Sequence, residues 1–277
     1  MTKRVAVIND LSGFGKCSLT AAIPVLSVMG IQPCPMPTAI LTNQSGFNNY
    51  KCVDFTDNMY SYIDLWKING ASFDGIYSGY IANIKQIDII SQFIDAFRTS
   101  STAVIVDPVM ADNGMTYKGY DSQMCEQLSA LASKADYITP NLTELCILTN
   151  KNYSEVVDLE PDAMMNCIKS MATGLAEKNS QTVIVTGVPC GDLIYNCIFD
   201  SSSASFIPSK RFEGSFSGTG DLFASAFCGG VVKGLTVRQS VENAAAFLEK
   251  SISDTIILGK TDRNQGVEFE KNLKHII

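Results

Sequence analysis

The chain has 277 residues, a formal charge of −7 and 46% apolar composition, with 18% of residues charged. An acidic surface repels phosphate backbones and anionic lipid. The basic pairs Lys3-Arg4 and Lys210-Arg211 are isolated, so neither a nucleic acid nor a membrane is expected as a partner. Nine cysteines, an odd number with no Cys-x-x-Cys, point to small buried hydrophobes rather than to a disulfide framework or a zinc site. A chain this long can bury a core large enough to fold without staples. The opening residues read as a strand rather than a cationic leader, and no apolar run approaches the roughly 18 residues of a membrane span. A reduced, cytoplasmic setting is the expectation.

In chain order, a buried strand over residues 5–8 leads into helical spacing over 18–29, broken by Gly30. Residues 32–40 are extended and carry three prolines, which suits an edge strand or an irregular run. A helix over 58–68 precedes a brief strand at 75–77 that ends in Ser78-Gly79-Tyr80. Apolar residues at 84, 87, 90, 94 and 97 trace one face of an amphipathic helix. Residues 103–106 form the cleanest strand, stopped by Asp107-Pro108. A helix over 123–131 and strands at 137–138 and 182–185 follow. The runs 193–199 and 203–208 read as an antiparallel hairpin at a sheet edge, and helices over 220–232 and 237–250 come after it. Strands alternating with helices predict an α/β fold with a mostly parallel sheet. No repeat and no Gly/Pro/Ser-rich linker interrupts the pattern, so residues 1–277 are expected to form a single domain.

Ligands in such sheets bind at the carboxyl ends of strands, and four segments place polar or glycine residues there. In Phe216-Ser217-Gly218-Thr219-Gly220-Asp221, glycines allow close backbone approach and a helix start offers free N–H groups, a combination suited to phosphoryl oxygens. Asp221 could take a proton from a hydroxyl; the plainer reading is a helix capped by Thr219 or Asp221. Asp107 and Asp112, five residues apart at a strand end, could organise Mg²⁺ and its waters, although Asp-Pro is also a common strand-ending turn. In Thr139-Pro140-Asn141-Leu142-Thr143-Glu144, Glu144 could be a further carboxylate on the metal side. Asn141 and Glu144 also have the spacing of a capping box, and both readings can hold together. Thr186, at the end of the 182–185 strand, could reach a phosphate with its hydroxyl. The one histidine, His275, stands near the last residue given, which argues against histidine-dependent catalysis.

Asp107-Pro108-Val109-Met110, Thr139-Pro140-Asn141 with Glu144, and Gly218-Thr219-Gly220-Asp221, in this order, resemble the signature set of the vitamin-kinase branch of the ribokinase-like superfamily. Ser78-Gly79-Tyr80 resembles pyridoxal kinases in particular, and the resemblance runs over about residues 5–250. It implies a ribokinase-like three-layer sandwich, with helices on both faces of the sheet. The implied activity is ATP-dependent phosphorylation of the hydroxymethyl group of a vitamin B6 vitamer (pyridoxal, pyridoxamine or pyridoxine). By the same resemblance Asp221 would be the catalytic base, and Gly218, Thr219 and Gly220 the anion hole. Asp107, Asp112, Asn141 and Glu144 would hold or orient Mg²⁺ and its waters. Thr139 and Thr186 would lie by the ATP phosphates or a monovalent cation such as K⁺. Residues 112–120 would form a flap. Asp10, Ser45, Phe47 and Tyr80 would contact the pyridine ring, and the protein would be a homodimer.

Two departures stand out. Asp10 takes the place of a serine found in many pyridoxal kinases, and is expected to favour the protonated amine of pyridoxamine. Ala111 replaces a usual glycine and is expected to stiffen the flap hinge. Gly13-Phe14-Gly15-Lys16-Cys17-Ser18 imitates a P-loop but lacks its first glycine, where Asp10 stands, and has Cys17 where Ser or Thr is required. A hydroxymethylpyrimidine (phosphate) kinase of the same superfamily is the nearest alternative. That branch often has Cys in place of Asp221. A catalytically silent ligand-binding regulator is more distant.

Overall fold

The computed structural model describes residues 1–259 and 262–276. In chain order it runs β1 (Arg4–Ser12), α1 (Ser18–Val28), β2 (Gln32–Leu41), β3 (Cys52–Asp54), α2 (Thr56–Ile68), β4 (Gly75–Ser78), α3 (Ile84–Phe97) and β5 (Ala103–Val106). Next come β6 (Ala111–Asp112), β7 (Met115–Thr116), α4 (Ser122–Ala132), β8 (Tyr137–Ile138), α5 (Leu142–Leu148), α6 (Tyr153–Val157) and α7 (Pro161–Asn179). The chain continues through β9 (Thr182–Cys190), β10 (Leu193–Phe199), β11 (Ala204–Lys210), α8 (Thr219–Val232) and α9 (Val237–Ile257). Two short 3₁₀ turns follow, Arg263–Gln265 and Glu270–His275. The backbone divides into two compact units, Met1–Val104 with Phe212–Ile277, and Ile105–Arg211.

In the first unit the strand order is β4-β1-β2-β3, with β1 parallel to β2 and β4, and β3 antiparallel to β2. Val5, Ala6, Val7 and Ile8 are fully buried, as expected of a parallel strand covered on both faces. Helices α1, α8 and α9 pack as one group against β1, β2 and β4, while α2 packs on α3 and β2. Trp66, Phe73, Phe93 and Phe97 form a contiguous aromatic cluster in the second group.

In the second unit the order is β11-β10-β9-β8-β5; β5, β8 and β9 are parallel, and β10 and β11 are antiparallel. The expected hairpin therefore does form the edge, extending to Lys210. Strands β6 and β7 make a separate two-stranded hairpin over residues 111–116, which overlaps the segment expected to form a flap. The fold is α/β and mostly parallel, as the alternation of elements predicts.

Several elements differ from the sequence expectation; among them, β9 runs on to Cys190 rather than ending at 185, so Thr186 lies within the strand. Strand β2 has neighbours on both sides, but β3 pairs only with Ala39, Ile40 and Leu41. Pro33, Pro35 and Pro37 alternate along β2, so their missing N–H groups all fall on one side of it, before that pairing begins. Helix α7 was not expected, although Met164, Ile168, Met171 and Leu175 carry a helical stripe and Pro161 opens its first turn. Helix α9 runs to Ile257 rather than stopping at 250. Its buried polar residues Ser251 and Thr255 satisfy themselves by donating to the Phe247 and Ser251 carbonyls at 2.8 and 2.7 Å, so they do not interrupt the apolar face.

Candidate functional site

In the first unit, β1 ends in Asn9, Asp10 and Ser12, which are buried at the mouth of α1, and α8 brings Asp221 to them. Asn9 Nδ2 donates to Asp221 Oδ1 at 3.0 Å, and the Ser18 backbone N–H donates to the same carboxylate. Ser18 opens α1 with φ +51°, a conformation costing on the order of 1 kcal/mol for a non-glycine residue. Held in that geometry, it turns its N–H to Asp221 and its hydroxyl to Asp10. Burial pushes Asp221 up to about 6; the negative charge of Asp10 adds to this, and the Ser18 and Asn9 donors oppose it. Asp221 keeps partial access to solvent. A carboxylate tuned near neutrality and still reachable suits proton abstraction.

Helix α8 starts after Gly218 (φ +81°), and no side chain caps it. The capping alternative therefore fails: Thr219 Oγ1 donates to the Phe216 carbonyl at 3.1 Å, and Asp221 faces Asn9 and Ser18. The first-turn N–H groups and the positive end of the helix dipole remain available to an anion.

Asp10 accepts from Ser12 Oγ at 2.8 Å, and burial raises its pKa against the pull of Ser18 and Ser12. Tyr80 donates its backbone N–H to Asn9 Oδ1 at 2.9 Å. Its phenol is pushed up to about 12 by burial and then by the charge of Asp10. Phe47 is half-buried with its ring 5.4 Å from that of Phe14, whereas Ser45 is exposed. The P-loop imitation is explained by Lys16: its ammonium is held by Glu268 at 2.8 Å and Glu270 at 2.9 Å. Burial pulls the Lys16 pKa down, but the two glutamates outweigh it and hold the group above its ordinary value.

The second unit carries the other carboxylates. Asp107, at the end of β5, is buried and accepts from Thr139 Oγ1 at 2.9 Å. Glu144 accepts from the backbone N–H groups of Met110 at 3.0 Å and Asn141 at 2.9 Å, completing a capping box. Burial and then the charge of Asp107 raise the Glu144 pKa well above its usual range. Two buried carboxylates in mutual repulsion, with oxygen donors only, fit a hard divalent cation that keeps several waters. Asp112 lies on β6 and accepts from Asn113 Nδ2 at 3.0 Å. Among the described residues no group of three acidic, cysteine or histidine side chains is assembled for a metal. Asn141 Nδ2 donates to the Ala111 carbonyl at 2.8 Å, and Thr186 bridges to Asn141 through the backbone.

Sequence reasoning missed Asn9 and Ser18. A fully polar Asn-Asp pair ending an apolar strand was the available signal for Asn9. Nothing in the sequence announces the left-handed backbone of Ser18.

An uncapped helix start with a buried carboxylate in one unit, and a pair of buried carboxylates in the other, on a mostly parallel sheet, are features of kinases of the ribokinase-like class. The phosphomethylpyrimidine kinase family model matches residues 19–265, so the chain belongs to that family. A Bacteroides thetaiotaomicron structure, named provisionally as a phosphomethylpyrimidine kinase and crystallised with pyridoxal, superposes with a TM-score of 0.91 at 34% identity, covering 100% of this chain and 96% of that one. A hydroxymethylpyrimidine/phosphomethylpyrimidine kinase of Bacillus subtilis is 28% identical over 67% of this chain and 66% of its own length. A pyridoxine/pyridoxal/pyridoxamine kinase of Bordetella avium is 24% identical over 87% of this chain and 82% of its own. ATP use follows from the kinase family. Among the described residues no helix is long and apolar enough to cross a membrane.

Proposed function

We propose that the protein transfers the γ-phosphoryl group of ATP to the hydroxymethyl group of a vitamin B6 vitamer, as a single kinase domain. The observation that carries the chemistry is the Asp221 carboxylate, held by Asn9 and Ser18 at the uncapped start of α8. Asp221 takes the hydroxyl proton as the acceptor oxygen attacks phosphorus, and ADP leaves. The amides of Gly218, Thr219 and Gly220 bind phosphoryl oxygens whose charge grows in the transition state. Asp107 and Glu144 are the residues that would hold Mg²⁺, which neutralises phosphate charge when bound. Asp10, Tyr80 and Phe47 face the acceptor. The choice of a B6 vitamer is supported by pyridoxal in the 34%-identical neighbour.

The test is ATP consumption with pyridoxal, pyridoxamine, pyridoxine and hydroxymethylpyrimidine as acceptors. Turnover of a B6 vitamer is expected. Turnover of the pyrimidine alone would transfer the protein to the second reading, which the family description and the Bacillus subtilis relative favour. On the metal side, Asp107→Asn keeps an oxygen for Thr139 but removes a charge. It is expected to raise the Mg²⁺ concentration for half-maximal rate about tenfold or more, in line with the loss of a charged oxygen ligand. A Mg²⁺ titration of the rate checks this, and an unchanged midpoint removes Asp107 from the metal.

A further inference from the structure

We propose that Asn9 is the positioning residue of the transfer reaction, one buried amide that aims Asp221 and fixes Asp10 and Tyr80 beside it. The inference rests on Asp221 being the base. Asn9 is fully buried, and its amide is spent on three bonds. Nδ2 donates to Asp221 Oδ1 at 3.0 Å, while Oδ1 accepts the backbone N–H groups of Asp10 at 3.0 Å and Tyr80 at 2.9 Å. Those two acceptor bonds settle which end of the amide faces which partner: the oxygen is occupied by N–H groups, so only the NH₂ can point at Asp221.

The neighbouring backbone is built to let this happen. A Cβ at Gly79 would overlap Asn9 Nδ2 and lie 2.8 Å from its Cγ, so the glycine leaves the space the amide occupies. Charge-assisted hydrogen bonds are shorter and stronger than neutral ones. A donor fixed on one oxygen leaves the other lone pairs for the incoming hydroxyl, and favours the ionised form that can accept its proton. The titratable groups bearing on Asp221 are Asp10 on β1, which opposes its ionisation, and the buried Cys17 before α1, itself held protonated. Among the groups acting on Asp221, Asn9 is the side chain that favours the charged form.

The experiment follows kcat and KM against pH for the wild type, Asn9→Ser and Gly79→Ala. Serine is too short to reach Asp221. The alanine methyl displaces the amide without removing it. Both variants are expected to shift the acid limb of kcat upward, with a rate loss of about tenfold near pH 6.5 that largely recovers by about pH 9. The KM for ATP is expected to stay within about threefold of the wild-type value. Recovery with pH separates this role from a structural one, because a misfolded or loosened site does not regain rate when a proton is withdrawn. A pH-independent loss in the folded variants, or an unmoved limb, overturns the inference. If one variant does not fold, the other carries the same test. Full activity in an Asp221 variant would overturn the underlying assignment instead, which keeps the two failures apart.

Discussion

Asp221→Asn is expected to lose kcat by a factor on the order of 10²–10⁴ while becoming more stable than the wild type above about pH 6. The two effects share one cause. Asn is nearly isosteric and keeps an oxygen that can accept from Asn9, but it cannot take a proton. In the native state Asp221 is raised from 3.8 to about 6, so folding tightens its hold on the proton. The stabilisation from the neutral acid is complete below the ordinary carboxylate pKa and is lost as pH rises through about 6. At pH 8 the folded protein therefore carries a carboxylate in a place that disfavours it. Because the group keeps partial access to solvent, the cost is on the order of 1–3 kcal/mol. Thermal unfolding at a series of pH values checks the sign: the variant's advantage should be absent near pH 4 and grow towards pH 8. Two to four degrees per kcal/mol is the scale for a chain of this size. A pH-independent advantage would mean that Asp221 does not titrate in this range, and retained turnover would mean that it is not the base.

The elements that the sequence made legible are those whose pattern is apolar and local. Strand β1 is an apolar run over residues 5–8 ended by Asn9-Asp10, β5 is an apolar run stopped by Asp107-Pro108, and α3 carries a full buried stripe from Ile87 to Phe97. The candidate carboxylates were legible by position, since Asp107, Glu144 and Asp221 stand directly after a strand or within the first turn of a helix. What could not be read were the long-range partners. Asn9 lies 212 residues from Asp221, and its function depends on where its amide points. Lys16 was legible only as a false P-loop lysine, because Glu268 and Glu270, which hold its ammonium, come more than 250 residues later. Asp112 was legible only by its spacing from Asp107; that it lies on one strand of the small β6–β7 hairpin was not.

The second large effect is expected from Gly218→Ala. Two terms act there. A φ of +81° costs an L-residue about 1–2 kcal/mol wherever it occurs. The added methyl would also run into the Lys16 carbonyl oxygen and stand 2.9 Å from its carbon and 3.1 Å from Cys17 Cα, all backbone atoms that cannot rotate aside. Nor is that backbone free to retreat. The Lys16 ammonium is tied to Glu268 and Glu270, and a methyl at Gly266 would itself lie 3.2 Å from the Lys16 carbonyl oxygen. Ser217, just before the glycine, donates its N–H to the Arg263 carbonyl at 3.0 Å. Gly234→Ala supplies the control, since Gly234 has φ +87° but nothing within 4 Å of an added methyl. The control is expected to melt about 2–6 °C lower with turnover intact, reflecting the dihedral cost alone. Gly218→Ala is expected to lose at least about 3 kcal/mol, or roughly 6–12 °C, because the overlap adds to that cost. Whatever folds should turn over at least about a hundredfold more slowly, because the α8 amides proposed to bind phosphoryl oxygens are pushed out of place. Equal melting of the two variants would mean that the close approach of Gly218 to Lys16 contributes nothing. A large drop in stability with normal turnover would leave the glycine as a packing residue and assign the anion hole elsewhere.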